Sequence, residues 1–379
     1  MTLGGRPVAI VGAGYSTVGR DTGLSLRALT AEAVLAALAD AGVEPRAVDG
    51  LASHCFPHQL IFTNHTARDT GIGNVSWMSG SFDGPAGITS VIHAAAAVSA
   101  GLCETAVAVR TIQRQGASGM DHGAVAELNK EFVQPFGGGH PTQWAAMLMR
   151  RMMHDYGWTE ESFGRQMVAQ RQFAELNPRA LLRTPMTLDD YLAQRYVSKP
   201  LRVVDCDYPV DAGGAVVVTT LDRARDLPKP AAVVEACAFG LAPADFEVTI
   251  DAGHTSPHVA AAKMWSQTEL KPADIDIAGL YDGFSPIILN WMEALGVCGD
   301  GEAADFVAEG STSLGGRLPV NCDGGMANMG RIHGINHIAE LLWQFRGECG
   351  PRQAPDPEVG VASGSVGPFA GCLLMTKDR

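Results

Sequence analysis

Apolar positions along the chain change period several times, and each change predicts an element. Val8 to Val11 is an unbroken apolar run that stops at Gly12-x-Gly14, the pattern of a buried strand ending in a glycine turn. From Ser25 to Ala41 the apolar residues take helical spacing, with Ala28, Ala31, Val34, Leu35 and Leu38 on one stripe. Ser25 is the N-cap of that helix and Gly42 its stop. A second strand begins at Val48 to Leu51. An alanine-rich helix over Gly84 to Ser99 and a short buried strand over Thr105 to Arg110 follow. Small residues throughout that helix suit close packing between sheets. His93 within it reads as a core histidine.

Residues 111 to about 200 break this rhythm. They carry Gly137-Gly138-Gly139-His140, a methionine-heavy helix from Trp144 to Tyr156, a polar helix from Glu160 to Leu176 and a helix start at Thr187. The stretch reads as an excursion laid over a main body, to which Val203 to Cys206 and Ala215 to Thr220 return as strands. After the linker-like Leu227-Pro228-Lys229-Pro230 the second half echoes the first. Glu44 to Leu51 has a counterpart in Lys271 to Leu280, and the helix from Gly87 to Gly101 has one from Gly334 to Gly347. The expected organisation is a duplicated layered α/β fold with halves 1–227 and 228–379, and an insertion at about 111–200 in the first half only. The two echoed helices should then meet at the centre with converging N-termini, a natural place for an anion or oxyanion.

Composition narrows the partners. A formal net charge of −13, without a Lys/Arg cluster, argues against nucleic acid as a ligand. Eight scattered cysteines without a Cys-x-x-Cys pair read as reduced thiols of a cytoplasmic protein. No apolar run approaches the length of a membrane span. Gly12-x-Gly14 lacks the third glycine of a dinucleotide fingerprint, and no helix begins at once.

Candidate chemistry concentrates at two strand-to-helix turns. The first is Leu280-Tyr281-Asp282-Gly283-Phe284-Ser285; the second runs from Gly324 through Arg331, His333, Gly334 and Asn336 to His337. Each residue also has a plain reading. Tyr281 either reacts or hydrogen-bonds at a strand end. His333 is either titrating or packed, and Asp83 either orients a water or caps the alanine-rich helix. His140 lines either a ligand tunnel or only a loop. His333 and His337 with Glu340 fall short of the zincin spacing, so no metal is expected. His254 and His258 flank a Ser-Pro loop and read as surface residues.

The chain resembles the thiolase superfamily, in its thiolase-like lipid-transfer-protein branch near the sterol-carrier-protein-type thiolases. The resemblance rests on His154-Asp155-Tyr156-Gly157, Ala174-Glu175-Leu176-Asn177-Pro178, Cys206 to Ala215, Tyr281-Asp282-Gly283-Phe284, Leu318-Pro319-Val320-Asn321 and His333 to His337. It implies a five-layered α-β-α-β-α fold and a homodimer. Where thiolases carry their nucleophilic Cys, this chain reads Asp83-Gly84-Pro85-Ala86-Gly87; their Gly-His reads Gly330-Arg331, and their C-terminal Cys falls within Ser363 to Gly367. Thiolysis needs a thiolate and a base to generate it. The pattern instead resembles the retro-aldolases of steroid side-chain degradation. Those act on a coenzyme A thioester without a covalently bound cofactor, alongside a small OB-fold and zinc-ribbon partner. The resemblance places one of their two catalytic tyrosines at Tyr281 and the other where Arg331 stands.

Retro-aldol cleavage of a 3-hydroxyacyl-CoA needs a base for the β-hydroxyl, donors for the enolate oxygen and an acid for the enolate carbon. The expectation is proton transfer by Tyr281 and His333, with Arg331 favouring the phenolate and Asn336 donating. Asp282 and Asp83 complete the candidate catalytic set, and His140 and Gly334 are candidates for contacting the acyl-CoA. Competing expectations are a non-catalytic acyl-CoA scaffold and an acyltransferase using a displaced nucleophile such as Cys55.

Overall fold

Strand β1 (Val8–Tyr15) lies in the middle of a nine-stranded mixed sheet of order β3-β2-β4-β7-β1-β8-β11-β10-β9. The other strands are β2 (Gly50–His54), β3 (Trp77–Ser81), β4 (Thr105–Ile112), β7 (Ala212–Thr220), β8 (Ala232–Leu241), β9 (Ile277–Gly279), β10 (Val359–Val366) and β11 (Phe369–Lys377). Strands β5 (Tyr196–Ser198) and β6 (Leu201–Arg202) form a separate ribbon. This computed structural model describes residues 5–55, 59–81, 84–114, 135, 140–242 and 255–378. Strand β2 pairs in parallel with β3 and β4, whereas β7 runs antiparallel to β4 and β1. A short seam, Ala9 opposite Val233 and Ile10 opposite Ala232, joins β1 to β8.

Helix α1 (Leu26–Ala41) covers β1, β4 and β7, with α2 (Thr63–Thr70) beside it. Helix α3 (Ile88–Ser99) touches strands on both sides of the seam. The stretch between β4 and β5 supplies α4 (Pro141–Tyr156) and α5 (Glu160–Leu176); then come α6 (Ser256–Trp265) on β8 and β11, α7 (Ser285–Ala294), the one-turn α8 (Gly325–Asn328) and α9 (Ile335–Phe345). Helix α9, like α3, bridges the two sides of the seam, which gives the five layers expected from the sequence. Both middle helices are buried almost all round; α3 is largely apolar, whereas α9 carries a buried polar stripe of Asn336, His337, Glu340 and Gln344. His93, on α3, is half-buried, with Nδ1 3.1 Å from the Ser79 hydroxyl.

Helix α1 corrects one expectation. Its caps are as predicted, with the Ser25 side chain accepting from the Ala28 N–H and Gly42 left-handed at φ 67°. Its buried face, however, is Leu29, Thr30, Ala33, Val34, Ala37, Leu38 and Ala41, and Leu35 is exposed. The reason lies in β1. A Cβ on Gly12 would fall 2.5 Å from the Ala37 carbonyl oxygen, so the helix settles with its alanine face against the glycines. Gly12-x-Gly14 is thus a close-packing device. In α4, Met149 and Met152 are buried whereas Met147 is exposed, so the methionine run is mostly core.

Helix α7 carries one buried acid outside the site. Glu293 accepts the Gly301 N–H at 2.9 Å, and burial pushes its carboxyl up to about 7. A carboxyl raised in the folded state weakens folding as pH climbs from its unfolded value toward that figure, and the cost is then constant. Glu293→Gln is therefore expected to raise stability by on the order of 1–2 kcal/mol at pH 8 and by almost nothing at pH 4.5. Thermal midpoints at the two pH values check this; an equal shift at both would contradict it.

Candidate active site

The N-termini of α3 and α9 meet. The Gly87 N–H donates to the His333 carbonyl at 2.7 Å, and a Cβ on Gly87 would lie 2.7 Å from that oxygen. The approach is possible because His333 and Gly334 take left-handed backbone angles, φ 62° and 89°. A non-glycine residue in that region is uncommon and recurs where a site fixes a side chain. Here the strained turn drives the His333 ring into the interior.

The ring lies between two guanidiniums. Arg110 Nε donates to Nδ1 at 3.1 Å, and Arg331 Nη2 sits 2.8 Å from Nε2. Burial, then Arg331 and Arg110, hold its pKa well below the ordinary histidine range. A second proton would create a third cation in a row, so the imidazole is neutral, with a guanidinium facing each of its nitrogens. This corrects the expectation that His333 shuttles protons.

Arg331 is fixed from its other side by Asp207, Nε to Oδ2 at 3.0 Å, and its backbone N–H donates to the Tyr208 carbonyl at 2.9 Å. Arg110, on β4, also donates Nη1 to the carbonyls of His54 and Thr111. Burial pushes Arg110 down to about 9 and Arg114 down to about 10, so both stay charged at neutral pH. Among the described residues, Arg110, Arg114 and Arg331 thus gather near Tyr281, with Arg331 and Arg114 also acting on Asp207, which leaves the site rich in positive charge.

Tyr281 is 4% exposed, its ring centre 6.1 Å from that of His333, and its backbone N–H donates to the Ser363 hydroxyl at 2.9 Å. Burial pushes the phenol above its ordinary value, and the pull of Arg331 and Arg110 does not offset it. The expected phenolate is therefore replaced by a neutral phenol, an acid and hydrogen-bond donor at neutral pH. Ser363, in the stretch where thiolases carry their second Cys, is occupied in holding the Tyr281 backbone.

The remaining candidates fall into supporting places. Asp282 is fully buried and accepts from the Met326 and Ala327 N–H groups and from Gln170 Nε2. That carboxylate anchors α8 and α5, so its catalytic assignment is corrected to a structural one. The amide N–H groups of Asn336 face Asp323 Oδ2 at 2.8 Å and His337 Nδ1 at 3.4 Å, which removes it as an enolate donor. His140 is exposed and caps α4, its Nδ1 accepting from the Thr142 N–H. Gly334 caps α9 with Tyr281 alongside. Asp83, Gly137 to Gly139 and His254 lie outside the described residues. The histidine pair and Glu340 diverge: His333 faces the arginines, His337 Nε2 lies 3.4 Å from Asp282, and Glu340 forms a bidentate pair with Arg352. Sequence reasoning passed over Arg110, Asp207 and His54. Their signal was available as lone polar residues ending apolar strand runs or, for Asp207, within a recognised motif.

The family model described as Thiolase C-terminal domain-like matches residues 247–374. The chain is 38% identical to the steroid side-chain-cleaving aldolase of Thermomonospora curvata, over 98% of each. It is also 38% identical to the 17-hydroxy-3-oxo-4-pregnene-20-carboxyl-CoA lyase of Mycobacterium tuberculosis, over 97% of this chain and 98% of that one. The chain belongs to the thiolase superfamily, in the branch of these aldolases. The solved Ltp2-ChsH2(DUF35) aldolase superposes with a TM-score of 0.91 at 38% identity, covering 98% of both chains. Human mitochondrial 3-ketoacyl-CoA thiolase, 15% identical with a TM-score of 0.73 over 99% of each chain, shares the fold. Within that fold the Cys-bearing turn is replaced by Gly84-Pro85-Ala86-Gly87, and a phenol with a guanidinium cluster takes up the centre. No described helix is long and apolar enough to cross a membrane.

Proposed function

We propose that this chain is the catalytic subunit of a carbon–carbon lyase that cleaves a 3-hydroxyacyl-CoA, steroid-derived or similarly bulky, by retro-aldol chemistry. One observation carries the reading: a neutral buried phenol faces a cluster of guanidiniums where a thiolase would hold its thiolate. Arg331, locked by Asp207 and His333, supplies preorganised positive charge for the thioester enolate oxygen. Tyr281 gives its proton to the enolate carbon. His333 spaces and orients the two guanidiniums, and Asp282 fixes the turn that carries Tyr281. The names of the 38%-identical relatives, an aldolase and a CoA lyase, support the same reaction.

A second chain is part of the proposal, since the similar solved aldolase is named as a pair, Ltp2 with ChsH2(DUF35). The partner expected here is a small OB-fold and zinc-ribbon protein that binds acyl-CoA. Homodimerisation is supported by β3, an edge strand with Met78 exposed, beside the exposed Leu60 and Phe62.

Co-expression with such a partner tests the reading. A tertiary 3-hydroxyacyl-CoA should yield the ketone and the shortened acyl-CoA by mass spectrometry, only with both proteins present and without loss after iodoacetamide. Light scattering on the same preparation reads the number of copies, and a single copy of this chain would refute the dimer. A stable complex that binds acyl-CoA tightly but never cleaves it would identify a scaffold. Cleavage abolished by alkylation would point to Cys55.

A further inference from the structure

His54 ends β2 beside this site, only 2% exposed, with its ring centre 6.2 Å from that of His333. Strand β2 runs parallel to β3 with His54 opposite Ser81, the last residue of β3. Arg110 Nη1 fixes the position from behind by donating to the His54 carbonyl at 3.1 Å. Among the described residues, neither ring nitrogen of His54 has a hydrogen-bond partner.

That last fact separates His54 from the other bases described at the centre. His333 has a guanidinium on each nitrogen, Asp207 is paired with Arg331, Asp282 accepts three hydrogen bonds and His140 caps a helix. A buried imidazole with two open nitrogens is costly in the free protein and is explained when a ligand's polar group completes it. Burial, Arg110 and His93 hold the ring neutral, so one nitrogen is an open acceptor at neutral pH.

We propose that His54 accepts the substrate's β-hydroxyl hydrogen bond and takes its proton as the Cα–Cβ bond breaks. This rests on the lyase reading above. The hydroxyl proton passes to His54 and the hydroxyl carbon becomes the ketone. The bonding pair moves to Cα as the enolate, whose oxygen faces the guanidiniums, and Tyr281 delivers its own proton to Cα. The step leaves an imidazolium and a phenolate, so net charge in the pocket is unchanged. After the products leave, water carries the proton from His54 to Tyr281. Base and acid are thus two groups whose surroundings keep both neutral beforehand, the arrangement the chemistry needs.

The test uses the complex with its partner. His54→Ala should lower kcat by about 10²–10³-fold with KM within about threefold of wild type, and added imidazole should restore about a tenth of the loss or more. His54→Gln, which keeps polar volume without titrating, should be equally slow. A merely structural role would instead give recovery in His54→Gln and no imidazole rescue, and either result overturns the proposal, as does an unchanged kcat. Calorimetry in the Tyr281→Phe background, where turnover is slowed, reads the contact separately. There the 3-hydroxyacyl-CoA should bind about tenfold tighter than its 3-deoxy counterpart, a preference that His54→Ala removes. Absence of cleavage in the wild-type complex would remove the lyase reading. The calorimetric preference would still decide whether His54 meets the hydroxyl, and its absence would overturn the proposal.

Discussion

Tyr281→Phe is expected to lower cleavage of a tertiary 3-hydroxyacyl-CoA by about 10²–10⁴-fold while acyl-CoA affinity and the thermal midpoint stay close to wild type. The substitution removes one oxygen and keeps the ring that fills the space beside His333. The hydroxyl has no hydrogen-bond partner among the described residues, so its removal strands no protein group. The proton lost is the one destined for the enolate carbon. Because Tyr281 is a neutral acid, the wild-type rate should hold across pH 6–8, rather than rise with pH as a phenolate mechanism would require. Single-turnover product analysis checks the first statement and a pH series of kcat the second. A Tyr281→Phe complex that cleaves at the wild-type rate would remove the phenol from the mechanism and leave the guanidinium cluster as its only support.

Much of the fold was legible in the chain because its cues were local. Ser25 and Gly42 announce the ends of α1, and the echo between Gly87–Gly101 and Gly334–Gly347 foretells two central helices that do meet N-terminus to N-terminus. Less legible was which face of α1 is buried. Helical spacing admits several stripes when alanines are plentiful, and the choice was made by the glycines of β1, a partner distant in sequence. The site divided in the same way. Tyr281, Arg331 and His333 sit at recognisable turns, so their proximity could be expected. Their protonation could not. Whether a phenol beside an arginine ionises depends on how far burial outweighs the cation, and whether a histidine shuttles protons depends on what its two nitrogens face. Arg110 decides the second question from β4, more than 200 residues earlier in the chain. Asp282 and Asn336 looked reactive for the same reason: type and position are written in the sequence, whereas their complete sets of hydrogen-bond partners are not.

Arg331→Met separates charge in the reaction from charge in the fold. Removing the guanidinium leaves Asp207 without its Nε partner and takes away the group facing His333 Nε2. Losing one member of a buried ion pair costs about 3–5 kcal/mol, chiefly because the other is left desolvated and unpaired. Burial already pushes the Asp207 carboxyl upward, and Arg331 is the nearest pull against it, so Asp207 in the single variant should bind a proton. The double variant Asp207→Asn with Arg331→Met carries no stranded charge and should recover most of the lost stability in a denaturant titration. Cleavage should recover in neither. The enolate oxygen loses its preorganised cation in both proteins, a deficit of about 10²–10³-fold in kcat for a donor of this kind. Stability and activity would then move apart along the same pair of substitutions, which a purely architectural Arg331 cannot produce. If the double variant instead regains activity together with stability, Arg331 serves to neutralise Asp207, and the positive charge acting on the enolate must come from Arg110 and Arg114.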